Sequence, residues 1–150
     1  MTALLDIAIH EKSYGARRVL HNLTLQLRQG EIVSLIGASG CGKSSLLSIV
    51  AGLDADFRGA LRLDGKPVTG VHADIGLIFQ EPRLFPWLTV AQNIAFGLGA
   101  GGEHDPRVAQ LLDEVGLHGH ASSLPKQLSG GQAQRAAIAR GLFGQPRIVL

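Results

Sequence analysis

Cysteine, tryptophan, tyrosine and methionine each occur once in the 150 residues, and aromatic residues make up only 5%. A single cysteine, Cys41, excludes an internal disulfide and suits a reducing compartment. Charge is also scarce: charged residues account for 17%, with 14 basic against 12 acidic side chains and a net charge of +2. That balance is too weak to point to nucleic acid or to an anionic membrane surface. Arg17-Arg18, and Arg135 with Arg140, are too sparse to make a nucleic-acid footprint. No apolar run approaches the about 20 residues of a membrane span, and the N-terminus lacks the basic-then-apolar pattern of a signal peptide. A soluble, cytoplasmic chain is expected. His118-Gly119-His120 lacks Cys or carboxylate support, so a solvated loop is expected there rather than a metal site.

Against these absences stand 45% hydrophobic residues and 20 glycines. The length is that of one domain, and a domain near this size removes about 70% of its unfolded surface from water. The glycines sit mostly between apolar runs as turn punctuation. Leu4 to His10 and Leu23 to Leu27 alternate apolar with polar residues and predict half-buried strands. Glu31 to Ile36 contains the run Ile32-Val33-Ser34-Leu35-Ile36, which predicts a strand buried on both faces of a parallel sheet. A glycine-rich turn follows over Gly37 to Gly42, and Leu46, Leu47, Ile49 and Val50 predict a short helix from Lys43 that stops at Gly52. Ala60 to Leu63 with Asp64-Gly65 reads as a strand and hairpin turn, and Ile75 to Phe79 as another buried strand.

After Glu81 the texture changes. Pro82 and Pro86 break the chain, and Thr89 caps a helical pattern of Val90, Ile94 and Phe96. Gly97 to Gly102 reads as a flexible loop. Pro106 opens a helix with Val108, Leu111, Leu112 and Val115 on one face, closed by Gly116. Ser129 to Phe143 predicts a third helix and Arg147 to Leu150 the start of a strand. The chain stops inside that apolar run with no stop signal, which favours a truncated domain over a short terminal edge strand.

Gly37-Ala38-Ser39-Gly40-Cys41-Gly42-Lys43-Ser44 fits G-x-x-x-x-G-K-[ST] at every fixed position. The glycines let the backbone curl so that successive N–H groups point inward at phosphate oxygens. A helix beginning at Lys43 aims its positive dipole end at the same charges. Lys43 is suited to the β- and γ-phosphates and the Ser44 hydroxyl to Mg²⁺. Cys41 reads as a small side chain filling a loop position rather than as a nucleophile.

Leu128-Ser129-Gly130-Gly131-Gln132 supplies a second motif, followed by Gln134-Arg135-Ala136-Ala137-Ile138-Ala139-Arg140. In order with the phosphate loop and with Gln80 at the end of its strand, it resembles the nucleotide-binding subunit of ATP-binding-cassette transporters over nearly the whole chain. The resemblance implies an α/β fold: a P-loop NTPase core with an N-terminal antiparallel β subdomain and a helical insert, truncated in the Walker B strand. Residues 1–80 would be the β subdomain and phosphate-loop core, 81–145 the helical signature subdomain, and 146–150 the start of the Walker B strand. It implies ATP held by Tyr14, Gly37, Ala38, Ser39, Gly40, Cys41, Gly42, Lys43, Ser44, Ser45 and Gln80, with Tyr14 stacking on adenine and Mg²⁺ at Ser44 and Gln80. Leu128, Ser129, Gly130, Gly131 and Gln132 would contact the γ-phosphate held by a second ATP-binding subunit, in a homodimer. Further partners would be transmembrane permease subunits and, indirectly, a solute-binding protein. The chain would lie at the inner face of the membrane through the permease.

Glu81-Pro82-Arg83-Leu84-Phe85-Pro86-Trp87 resembles the corresponding stretch of nitrate, sulfonate and taurine importers. There the region faces a helix of the membrane subunit. Phe85 and Trp87 suit either an apolar anchor for that helix or packing within the insert. Chromosome and repair ATPases share the motifs but carry long coiled coils, for which Glu81 to Gln127 is too short. In complete members the last strand continues into the Walker B aspartate and the catalytic glutamate, with the switch histidine farther on; no catalytic residue falls within the 150. Loss of a positioned general base costs about 10²–10⁴-fold. The whole is therefore expected to be an import ATPase, and the 150 residues alone nearly inactive. The other reading is a non-hydrolysing nucleotide-binding or dimerisation module.

Overall fold

In the computed structural model, which describes residues 3–150, the alternating run near the start forms β1, Leu5–Tyr14. Its Leu5, Ile7 and Ile9 are buried and the residues between them are not, as a strand with one face on a core requires. The chain turns at Gly15 (φ 58°) into β2, Arg17–Leu27, which pairs antiparallel with β1. On the other side of β1 lies β3, Arg58–Leu63, with Ile7 opposite Leu61 and Leu5 opposite Leu63. Asp64 and Gly65, both at positive φ, make the two-residue turn into β4, Lys66–Pro67. The sheet order is β2-β1-β3-β4. The first helix, α1, spans Lys43–Val50 and buries Leu46, Ile49 and Val50.

These elements belong to one compact unit that reaches to His72; a second runs from Ala73 to Leu150. Gly52, just past α1, has φ 75°, and a Cβ there would lie 2.0 Å from the carbonyl oxygen of Gly70. Both strands of backbone would have to move. Gly52→Ala is expected to destabilise the protein by about 3 kcal/mol, from left-handed strain plus the clash, as read by urea unfolding.

The segment Glu31–Ile36 departs from expectation. It is not a strand, and Ile32 and Ile36 are 93% and 94% exposed. An apolar run becomes a buried strand only when neighbours satisfy its backbone and cover both faces. The four strands of this unit pair among themselves, and none of them pairs with this run.

In the second unit, β5 (Ile75–Gly76) and β6 (Ile148–Val149) pair in parallel, and the N–H of Ile78 extends the ladder to the carbonyl of Leu150 at 2.9 Å. The strand predicted to run to Phe79 is therefore shorter, and its Leu77, Ile78 and Phe79 are only half-buried. Three helices follow: α2 at Val90–Ile94, α3 at Pro106–Glu114 and α4 at Gly130–Phe143. Their first turns are fixed by local chemistry. Thr89 and Ser129 form capping boxes with Gln92 and Gln132, and the Asp105 carboxylate accepts from the Arg107 N–H at 2.9 Å beside Pro106. Gly97 to Gly102 is more ordered than expected: short 3-10 turns at Phe96–Leu98 and Gly102–His104 enclose it, and Gly102 is buried.

The core of this unit is Val90, Ile94, Val108, Leu112, Leu117, Phe143 and the small residues Ala136 and Ala139 of α4. Gly141 continues that small face: a Cβ there would sit 2.6 Å from Ile78 Cγ1, so α4 packs against the chain leaving β5 at close range. One polar side chain is wholly buried here. Asn93 accepts from the Phe85 N–H at 2.8 Å, and its amide nitrogen lies 3.1, 3.1 and 3.0 Å from the carbonyls of Phe85, Leu88 and Thr89. It supplies the bonds that this irregular backbone cannot make to itself.

Candidate functional site

The glycine loop runs from Gly37 into the first turn of α1. Gly40 and Gly42 take positive φ (77° and 104°), and Gly42 is the N-cap. No side chain caps the helix and no acid lies in its first turn, so its partial positive charge is left uncompensated by neighbouring side chains. A Cβ on Gly42 would press on Val19 and Leu20 at 2.9 and 2.8 Å, and one on Gly37 would lie 2.6 Å from Cys41 Sγ. At Gly42 glycine is thus favoured by space as well as by conformation. Lys43 Nζ folds over the loop and donates to the carbonyls of Gly37 and Ala38, both at 2.8 Å, with Cys41 Sγ at 3.4 Å.

Beside the loop lies an open cavity of about 380 Å³. Tyr14, Arg17 and Val19 line one part of it, and Ser39, Gly40, Gly42, Lys43, Ser44 and Ser45 the rest. The hairpin of β1 and β2 sets Tyr14 opposite Arg17. Arg17 donates to the carbonyl of Gly40 at 3.3 Å, and the Tyr14 hydroxyl oxygen, whose hydrogen goes to Asp54, lies 3.3 Å from Ser45 Oγ. An exposed aromatic ring, two cations and a bare helix N-terminus converge on one concavity, a composition suited to an anion with a flat apolar end.

In the second unit Ser129 starts α4. Its Oγ accepts from the Gln132 N–H at 3.2 Å, while Gln132 Oε1 accepts from the Ser129 N–H at 2.8 Å. Gly130 and Gly131 are exposed, and a Cβ on either would meet nothing within 4 Å. Among the described residues nothing requires glycine at these two positions. Their bareness leaves room for something outside.

Residues 20–150 match the ABC transporter family. The chain belongs to that family. An aliphatic sulfonates import ATP-binding protein (SsuB 2) of Burkholderia cenocepacia is 60% identical over 147 residues, covering 98% of this chain and 54% of the relative. The corresponding SsuB 1 of Xanthomonas axonopodis pv. citri is 58% identical, covering 97% of this chain and 60% of its own length. Among solved structures, cbiO1 of Clostridium perfringens, part of the ABC transporter complex cbiONQ, matches with a TM-score of 0.84 at 26% identity. That match covers 98% of this chain and 64% of the other. The chain spans about half the length of the first of these curated relatives. The ABC fold expected from the motifs is the one found. No helix among the described residues is long and apolar enough to cross a membrane.

Gln80 of this ABC chain is exposed and lies beyond the end of β5. The backbone after it is held by α4: Gln134 donates to the Phe79 carbonyl at 3.1 Å, and Arg140 to the carbonyls of Pro82 and Arg83 at 2.9 and 2.8 Å. Burial pulls the Arg140 guanidinium below its ordinary pKa. Farther along, the Phe85 ring packs against Trp87 and Phe96 at centroid distances of 5.6 and 4.4 Å, while Trp87 itself is 72% exposed. His120 is half-buried rather than solvated: its Nε2 lies 3.3 Å from the Gln132 amide nitrogen and its Nδ1 3.4 Å from Ser123 Oγ.

Sequence reasoning missed Lys12, Arg17 and Asp54. Lys12 is 2% exposed, with Asp54 at 2.9 Å and the Asp56 carbonyl at 2.6 Å. Register slips in β1, between Ile9 and Glu11 against β3 and between Lys12 and Ser13 against β2, interrupt the alternation and turn Lys12 inward. The hydrogen bond from Lys12, aided by those from the Asp56 N–H and the Tyr14 hydroxyl, holds Asp54 below its ordinary pKa against the opposing effect of burial. The bond to Asp54 raises Lys12 in turn. A lowered carboxylate stabilises the fold above its unfolded pKa, and that stability is lost as pH falls through the folded value. Asp54→Asn is therefore expected to be less stable than the wild type near neutrality. The gap should close in acid, as read by thermal unfolding between about pH 2 and 6.

Proposed function

We propose that this chain is the ATP-binding part of an importer that couples ATP binding and hydrolysis to uptake of aliphatic sulfonates. The observation that carries the reading is the cavity at the glycine loop, with an exposed tyrosine, a lysine poised over the loop and an uncapped helix start in one concavity. ATP matches it part for part. Its phosphates meet the loop amides of Gly37 to Gly42, Lys43 and the hydroxyls of Ser44 and Ser45, and its base meets Tyr14. Ser44, exposed in the first turn beside Lys43, would hold Mg²⁺ together with phosphate oxygens, and the role of Gln80 toward that ion rests on the family resemblance alone. The metal neutralises charge on the phosphates when bound.

The exposed first turn of α4, where Gly130 and Gly131 carry no side chains beside the Ser129 cap and are flanked by Leu128 and Gln132, supports a γ-phosphate presented by a second copy of the chain. Permease subunits would hold the pair at the inner face of the membrane, with Trp87 and Phe85 offered to them, and a solute-binding protein would deliver the sulfonate. The 150 residues by themselves are expected to release phosphate at a rate about 10²–10⁴-fold below that of the intact protein, because they carry no positioned general base.

Disrupting the gene is expected to abolish uptake of radiolabelled ethanesulfonate and growth on it as sole sulfur source, with growth on sulfate and nitrate uptake retained. Undiminished ethanesulfonate uptake would overturn the assignment.

A further inference from the structure

We propose that Lys12 and Asp54 are positioning residues for the nucleotide base: they fix Tyr14 by its hydroxyl and place a cation against its ring. The inference rests on the nucleotide reading of the cavity. Tyr14 is 52% exposed, so its own packing does little to hold it. A half-exposed tyrosine free to change rotamer is a poor stacking platform, because each encounter with a base would have to order it. Here the ring is tied at its tip. Its hydroxyl lies 3.2 Å from Asp54 Oδ2 and 3.3 Å from Ser45 Oγ, one residue beyond the serine assigned to Mg²⁺. Asp54 is itself immobilised by Lys12, which donates to Oδ1 at 3.0 Å and pairs with Oδ2 at 2.9 Å.

Lys12 Nζ also stands 4.5 Å from the centroid of the Tyr14 ring, within cation–π range. Tyr14 lines the cavity and Lys12 does not. The cation therefore braces the ring without competing for the base. Burying an ammonium to 2% exposure is costly, and an apolar residue would seal the end of β1 more cheaply if sealing were the whole task.

The test compares ATP with inorganic tripolyphosphate, which has the phosphates and no base, by competition for bound ATP on the intact protein with Mg²⁺. Lys12→Met and Asp54→Asn are each expected to weaken ATP binding about tenfold, the size of a lost cation–π contact with its tether. Tripolyphosphate affinity should change less than about twofold, since the loop is untouched. Tyr14→Phe, which keeps the ring and loses the tether, should show the same selective loss in smaller measure and guards against a Lys12 variant that does not fold. Equal losses for both ligands would make the pair merely structural and overturn the proposal, as would unchanged ATP affinity in all three variants. A wild type that binds neither ligand would instead overturn the nucleotide reading.

Discussion

Lys43→Ala is expected to lower the affinity for ATP by two orders of magnitude or more while leaving thermal unfolding almost unchanged. Lys43 Nζ lies 2.8 Å from two loop carbonyls, on a flexible stem whose head is the cation nearest the loop interior. When phosphates enter, the ammonium exchanges neutral carbonyl acceptors for ionised oxygens, and a charge-assisted bond is about twice as strong as a neutral one. Alanine removes that gain and leaves phosphate charge facing carbonyl oxygens. Stability is barely involved, because the ammonium is tied only to its own loop and crosslinks no separate elements. Lys43→Arg should not rescue binding, since a rigid planar fork cannot fit where a compact ammonium curls over the loop. Isothermal titration of the purified intact protein checks the point, and undiminished affinity in the alanine variant would remove Lys43 from the site.

Asn93→Ala is expected to cost about 2–4 kcal/mol of stability. The amide is wholly buried and bonds to both backbone groups of Phe85 and to the carbonyls of Leu88 and Thr89. Its removal takes the side-chain partner from the Phe85 N–H and from the Leu88 carbonyl, while the Phe85 and Thr89 carbonyls keep the N–H groups of Leu88 and Asn93; each unpaired group costs about 1–3 kcal/mol. Asn93→Asp should be nearly as harmful, because a carboxylate keeps the acceptor for Phe85 but presents charge to three carbonyl oxygens. Urea unfolding followed by circular dichroism measures both. A loss below about 1 kcal/mol for the alanine variant would mean that water enters and takes over the bonds.

Features decided within a few residues were legible in the sequence. Thr89, Pro106 and Ser129 start helices because cap chemistry is local, and Asp64-Gly65 turns because its backbone demands positive φ. The glycine loop was legible for the same reason. Features decided by distant neighbours were not. Ile32 to Ile36 has the composition of a central strand, but composition records what the run can bury and not whether strands flank it. Lys12 was invisible because alternation places it by parity, and parity fails wherever a strand bulges. Arg17 joined the site only through the register of β1 with β2, and His120 left the solvent only because the helix start at Ser129 brings Gln132 to it.

The grip of α4 on the backbone after Gln80 has a dynamic consequence. Residues 79–83 belong to no helix or ladder, and such a segment would ordinarily exchange its amide hydrogens freely and open by itself. Here it cannot swing clear without breaking the bonds from Gln134 and Arg140 together, and those donors sit about two turns apart on one rigid rod. Opening is thereby made cooperative. Hydrogen exchange of residues 79–83 is therefore expected to follow that of the middle of α4 rather than that of a free loop.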